Sequence, residues 1–375
     1  MLRGRSARPA LHLRNGGSCP PAAGLPLRSC LIEVVPLCMS LTSRKKEHVD
    51  LVIEKDVRFR TKDNGLEAIE LPYCALPECD LADIDTRTGF VGKQLALPFM
   101  ITGMTGGYPD AERINAQLAE AALELGIALG VGSMRAAIEH PATARSYSAV
   151  RSVADRVPTI GNVGAVQLAD WYRDGSMPNH LNTLADLIGA SAMAIHLNPL
   201  QELMQPEGQP RFRGVLEAIE AAVNASPLPI IVKEVGAGIS LKVAERLVDA
   251  GVEIIDVAGA GGTSWSGVEI LRRDDAAKVQ DYWDVGIPTA QCLYECRGVI
   301  PVMIASGGIA NGRQTAAAIA LGATVVGAAG PVLRALEEDG VGGVITLLRS
   351  WELDLRRWMF LTGSPTLHDL AHILH

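Results

Sequence analysis

The sequence predicts an α/β fold, a (β/α)8 TIM barrel with an N-terminal extension. Three observations predict it. From about Leu97 onward, short apolar runs alternate with amphipathic stretches, the pattern of repeated βα units and a parallel sheet. Eight such runs occur, enough to close a barrel. Glycine or hydrogen-bonding residues follow the runs at the same end, where barrels of this kind build their sites.

The candidate strands are Pro98–Thr102, Ile127–Gly130, Thr159–Gly161, Ala192–His196, Ile230–Lys233, Glu253–Val257, Val302–Ala305 and Thr324–Gly327. Between the first two, Asp110–Leu125 carries Ile114, Leu118, Ala122 and Leu125 at helical spacing, with Gly126 as a stop signal. Arg213–Asn224, Leu241–Ala250 and Gln314–Ala320 read the same way, and residues 341–361 read as a terminal helix. The span from Trp265 to Pro301 is too long for one crossover, so it is either an active-site loop with its own helix or an interface element.

The amino-terminal flank differs. Residues 1–38 are rich in Arg, Pro and Gly, with Glu33 as their one acid and no periodicity, the bias of a transit peptide or of read-through upstream of a start at Met39. They are expected to be a disordered or non-native extension outside the fold. Residues 39–96 form a segment expected to pack near one barrel mouth and to contribute to the active site, and residues 97–375 form the catalytic barrel with its C-terminal helix.

Composition narrows the function. The chain has 375 residues and a net charge of −8, which argues against broad nucleic-acid binding. No apolar run reaches the roughly 18 residues of a membrane helix. Cys19, Cys30, Cys38, Cys74, Cys79, Cys292 and Cys296 show no zinc spacing and read as a reduced, cytoplasmic thiol inventory. His368, His372 and His375 could share a helix face but have no carboxylate pattern beside them, and read as surface residues.

The loops after the strands hold the candidate chemistry. After the seventh and eighth strands, Ser306-Gly307-Gly308-Ile309-Ala310 and Ala329-Gly330 let backbone N–H groups and a helix N-terminus approach a phosphate. Lys233 ends an apolar run and so points into or across the mouth, where a buried ammonium needs an anion. Glu234 or Asp256 would be a structural partner; the pyrimidine edge of a flavin is the more specific one, with Asn162 and Thr263 as further donors. His196, Asn198, Gln201 and Glu202 form the most unusual cluster, and Glu202 alone could serve magnesium or simply meet a helix dipole. Arg44-Lys45-Lys46-Glu47-His48 is either a solvated face or, with Arg135, a set of donors for a diphosphate.

In order, RKKEH at 44–48, TGMTGG at 102–107, GSMR at 132–135, NVGA at 162–165, HLNPLQE at 196–202, VKEVG at 232–236, AGAGGTSW at 258–265 and ASGGI at 305–309 closely resemble the type 2, FMN-dependent isopentenyl-diphosphate isomerase family. The resemblance spans nearly the whole chain after residue 42. It implies bound FMN, NADPH to reduce it, Mg2+, a homo-oligomer (tetramer or octamer) and interconversion of isopentenyl and dimethylallyl diphosphates. FMN contacts would fall on Gly103, Met104, Thr105, Ser133, Asn162, Lys233, Thr263, Gly308, Ile309, Ala310, Ala329 and Gly330. Substrate contacts would fall on Arg44, Lys45, Ser133, Met134, Arg135, His196, Asn198 and Gln201, with Glu202 on the metal. Two positions depart from the pattern: Met134 replaces a common Gln, and Ala258 replaces a Ser.

The implied chemistry is protonation of an unactivated alkene, a task for which side-chain acids are weak and reduced FMN is suited. Gln201 is the candidate for positioning or relaying a proton, with His196 and Asn198 orienting substrate. One alternative is an FMN-dependent 2-hydroxy-acid oxidase on the same barrel; another is a non-catalytic flavin- or phosphate-binding protein, which leaves HLNPLQE without a purpose.

Overall fold

A computed structural model describes residues 41–374, with the side chains of residues 41–44 and 53 left aside. The readings of residues 1–38, of Cys19, Cys30 and Cys38 and of His375 therefore lie outside the described residues. Eight parallel strands close a barrel: β1 (Phe99–Ile101), β2 (Ala128–Gly130), β3 (Thr159–Gly164), β4 (Ala192–His196), β5 (Ile230–Lys233), β6 (Ile254–Asp256), β7 (Val302–Ala305) and β8 (Val325–Ala328), with β8 returning to β1. Every predicted run is a strand. The largest difference is β3, which runs on to Gly164 because Asn162, Val163 and Gly164 pair in register with Ala194, Ile195 and His196.

Alternation along the strands builds two apolar layers. Met100, Ala128, Ile160, Ala194, Ile231, Ile254 and Val325 fill the barrel interior. Their sequence neighbours Ile101, Leu129, Ile195, Val232, Ile255 and Val326 face outward and pack in the helix-covered core. Helix Ala111–Leu125 buries Ile114, Leu118, Ala122 and Leu125, and stops at Gly126, whose φ of 63° suits a residue without a Cβ.

The segment before β1 serves both ends of the barrel, which corrects the expectation of a single mouth. A hairpin, Thr88–Phe90 against Lys93–Leu95, joins Phe90 and Leu95 to the interior cluster. Lys93 donates to the carbonyls of Ala154 and Val157, just before β3 begins, so the hairpin closes the amino-terminal end. Phe90 and Leu95 are only 3% and 0% exposed, and burying each contributes roughly 1.5–3 kcal/mol. Residues 57–64 instead cross the carboxyl end, where Ser264 N–H donates to Val57 O and Phe59 N–H donates to Gly262 O.

The terminal helix also departs from its reading. It begins at Gly330 rather than near residue 341, and runs to Leu361 across a break at Asp339 and Gly340. A short helix, Leu367–Ala371, follows, its start fixed by reciprocal hydrogen bonds between Thr366 and Asp369. No helix among the described residues is long and apolar enough to cross a membrane.

Candidate active site

Register determines which polar groups meet. Ala194, Ile231 and Ile254 face the barrel interior, so His196, Lys233 and Asp256, two residues further along β4, β5 and β6, face it one layer higher. His196 pairs with Lys233 and Lys233 with Asp256, placing an imidazole, an ammonium and a carboxylate in one row across three strands. Lys233 Nζ lies 3.9 Å from Asp256 Oδ2 and donates to its neighbour's carbonyl, Glu234 O. Asp256 is fully buried, its Oδ1 accepting from Ser306 Oγ at 2.7 Å while Oδ2 has no hydrogen-bond partner. Burial raises its pKa against the pull of Lys233.

Asn162, level with Ala194 on β3, fixes the histidine. Its Nδ2 donates to Val131 O, which turns Oδ1 toward His196 Nδ1 at 2.9 Å. The network thus assigns the proton to Nδ1 and leaves Nε2 bare. Burial, with the charges of Lys233 and Lys45, pushes the His196 pKa down to about 3, so the ring is neutral. Gly103, Gly130, Gly161, Asn162, Lys233 and Asp256 wall a space of about 20 Å³ at this level. A Cβ on Gly103 would stand 2.2 Å from Val131 O, so only glycine leaves this wall open.

Beside it lies a cavity of about 160 Å³, bordered by Met104, Ser133, Arg135, His196, Asn198, Gln201 and Glu202 from the barrel loops and by Lys45, His48 and Trp265. The loop after β4 becomes helix Pro199–Met204, whose first turn presents Gln201 and Glu202. Gln201 is held at both ends: Nε2 donates to Glu269 Oε1 at 2.9 Å, and Oε1 accepts from Asn198 Nδ2 at 3.4 Å. Glu202 accepts from Asn198 Nδ2 at 3.1 Å and from Gln209 N–H at 2.7 Å. No cluster of three or more metal-ligating side chains occurs among the described residues; of the two acids that border the cavity, Glu207 is paired with Arg272 and Glu202 lies beside Gln201.

Glu269 organises this wall from helix Trp265–Leu271. Its side chain is 0% exposed; Arg272 Nη1 donates to Oε2 at 2.6 Å, and His48 Nε2 stands 3.0 Å from Oε1. Burial opposes ionisation of Glu269, but the close approach of His48 and the hydrogen bonds from Gln201 and Arg272 outweigh it and hold the carboxyl below its ordinary range. Arg272 also meets Glu47 at 2.9 Å and Glu207 at 2.8 Å. The helix Leu41–Glu54 is thereby pinned across the rim, and its Lys45 Nζ donates to Ser133 O and Tyr147 Oη, both at 2.7 Å.

Residues 175–374 match the family model described as FMN-dependent dehydrogenase. The isopentenyl-diphosphate delta-isomerase of Vibrio parahaemolyticus is 47% identical over 337 residues, covering 88% of this chain and 97% of that relative. The chain belongs to the type 2, FMN-dependent isopentenyl-diphosphate delta-isomerase family. The enzyme of that name from Methanococcoides burtonii is 43% identical over 342 residues, covering 88% and 91% of the two chains. Among solved structures, a mandelate oxidase variant with a monooxide FMN adduct superposes with a TM-score of 0.60 at 21% identity, covering 86% of this chain and 93% of that one. A putative lactate oxidase of Pediococcus acidilactici gives 0.61 at 15%, covering 88% and 92%. Both show the barrel fold.

Against the family's expected contacts, the structure gathers most positions at the carboxyl end and separates a few side chains from it. The Thr105 hydroxyl donates to Asn115 Oδ1 while its carbonyl accepts from Gly132 N–H and Asn115 Nδ2, so these groups anchor the following helix. Met134 is fully buried, with Sδ toward Gly161, and borders neither cavity. Thr263 is bridged through its backbone to Arg58, Ile309 is buried, and Ala310 N–H donates to Gln314 Oε1. Gly308 packs against Gly261 and Gly262, while Ala329 and Gly330 open the terminal helix on the neighbouring strand. Arg135 borders the cavity while paired to Glu139 at 2.5 Å, and the Arg44 side chain is outside the description. Ala258, in place of the family's Ser, has φ of 37°, a left-handed conformation costly for a residue with a Cβ.

Sequence reasoning missed Glu269, Trp265 and Arg272 as site residues and left His48 within a charged run. One signal was available: Trp265 to Pro301 exceeds an ordinary crossover, and its first helix brings Trp265 to the cavity and Glu269 behind Gln201. The Cys292 and Cys296 thiols are buried, and burial pushes them up to about 12 and about 11. His368 and His372 are exposed.

Proposed function

We propose that this chain interconverts isopentenyl and dimethylallyl diphosphates by a 1,3-allylic proton shift, using reduced FMN as acid and base, with NADPH as the source of reduction and Mg2+ as the clamp on the diphosphate. The observation that carries the reading is the Gln201 amide, fixed between Asn198 and Glu269 at the wall of a cavity that also holds His196, Lys45 and Glu202.

The residues present fit the cofactor. Lys233, Asn162 and the orphaned Asp256 Oδ2 surround the glycine-walled space where the polar edge of a flavin finds partners, and the loops at Gly308 and Gly330 suit its phosphate. When bound, reduced FMN supplies the acid that no side chain here can match and an electron-rich face beside the alkene. The chain's own groups do the rest. Lys45 and Arg135 offer positive charge to the diphosphate, and Glu202 offers one carboxylate to magnesium. Asn198 and Glu269 hold Gln201 in one orientation, so its amide can position the reacting carbons or pass a proton without reorganising. Trp265 and the rim helix border the cavity and limit water.

A carbinol-oxidising reading needs a base, and His196 with its pKa near 3 is a poor one. We place the activity in residues 39–375, with 39–96 completing the site of a barrel formed by 97–375, in a cytoplasmic homo-oligomer, either tetramer or octamer. The test is direct: purified protein is loaded with FMN, reduced anaerobically with NADPH or dithionite, and given isopentenyl diphosphate with and without Mg2+. Dimethylallyl diphosphate should form without net NADPH consumption. Failure to bind FMN, or stoichiometric NADPH loss, overturns the proposal.

A further inference from the structure

The glycine loops at Gly308 and Gly330 leave a charge problem. FMN ends in a phosphate dianion, and backbone N–H groups alone do not neutralise it. Some donors near these loops are unavailable: Ala310 N–H is held by Gln314, and Pro331 has no N–H. The nearby cation Arg313 donates to Leu66 O, Ile69 O and Glu67. Arg334 differs. It lies one turn after Gly330 and curls back over it, as long helical side chains do toward the N-terminus. Its Nη1, Nη2 and Cζ lie 3.4, 3.7 and 3.9 Å from the place a Cβ on Gly330 would occupy. Arg334 makes no hydrogen bond or ion pair among the described residues. Asp56, whose ionised form it favours from a distance, is already held by Arg58 through two contacts of 2.8 Å.

We infer that Arg334 is a cofactor-binding residue that donates through its guanidinium, lying over the first turn of the helix, to the phosphate of FMN. This rests on the flavin reading above. The arrangement makes the phosphate recognised by a helix N-terminus and a cation from the same turn, so the chain should discriminate FMN from riboflavin through this residue.

The test measures flavin binding by fluorescence quenching of apoprotein, with FMN and riboflavin as separate ligands, for the unaltered chain and for Arg334→Ala and Arg334→Lys. A charge-assisted contact predicts that Arg334→Ala weakens FMN binding about ten- to a hundredfold while riboflavin binding stays unchanged, with Arg334→Lys between. The FMN affinity of the unaltered chain should also fall more steeply with salt than that of Arg334→Ala. Equal FMN affinity in all three, or equal loss for FMN and riboflavin, overturns the assignment, since the second result marks a structural effect. If the unaltered chain binds neither flavin, the functional reading fails and this inference with it.

Discussion

Glu269→Gln separates the organising role of this carboxylate from a merely structural one. The change keeps the shape of the side chain and removes its charge. Arg272 retains Glu47 and Glu207, but these side chains are 38% and 37% exposed, so solvent screens them, whereas Glu269 is 0% exposed. Losing one partner of a buried pair costs about 3–5 kcal/mol, and the remaining partners of Arg272 reduce this to about 2–3 kcal/mol. With unfolding entropy near ~2.1 cal/mol/K per residue, that lowers Tm by roughly 3–4 °C, measurable by calorimetry. The Gln201 amide loses its preferred acceptor geometry, and misplacement of a positioning group costs about a hundredfold in turnover. Kinetics with pre-reduced FMN should show kcat down by about that factor with little change in KM. If Glu269 acts through Gln201, the double variant Glu269→Gln, Gln201→Asn should be no slower than Gln201→Asn alone. Additive losses, or unchanged turnover in a destabilised single variant, would refute the reasoning.

Gln201→Asn shortens the side chain so that it cannot reach both Glu269 and Asn198; FMN affinity should hold while turnover falls sharply, and unchanged kinetics would remove its assigned role. His196 should remain neutral, with its proton on Nδ1, in nitrogen NMR at pH 5 without ligand; a titration near its ordinary value would contradict the effect of its burial, and a proton on Nε2 would contradict the Asn162 network. Because the folded pKa of His196 lies below the unfolded one, the unfolded chain binds the extra proton, and stability should fall as pH drops from about 6.5 toward 3. His196→Asn should flatten that part of the stability profile. Iodoacetamide followed by peptide mapping should leave Cys292 and Cys296 unmodified in native protein and modify both after denaturation, since burial keeps both thiols protonated.

The barrel was legible because its strands are short, apolar and punctuated by glycine, and hydrophobic alternation survives in a single sequence. His196 and Lys233 were legible for a related reason: each is a polar residue ending an apolar run, so its position in the layer follows from counting by two. Glu269 was not, because an acid in SGVEIL looks like the solvent face of an amphipathic helix until tertiary packing brings His48, Gln201 and Arg272 onto it. The hairpin at residues 88–95 escaped because each strand has three residues and only one is buried in each. The start of the terminal helix was misread because Asp339 and Gly340 interrupt its pattern.

The Phe90 and Leu95 plug has a kinetic consequence. Among the described residues the floor of the barrel is closed, and the cavity opens at the rim crossed by Leu41–Glu54. The two isomeric diphosphates of the proposed reaction would then occupy that one cavity in turn, so inhibition of either direction by its own product should be competitive.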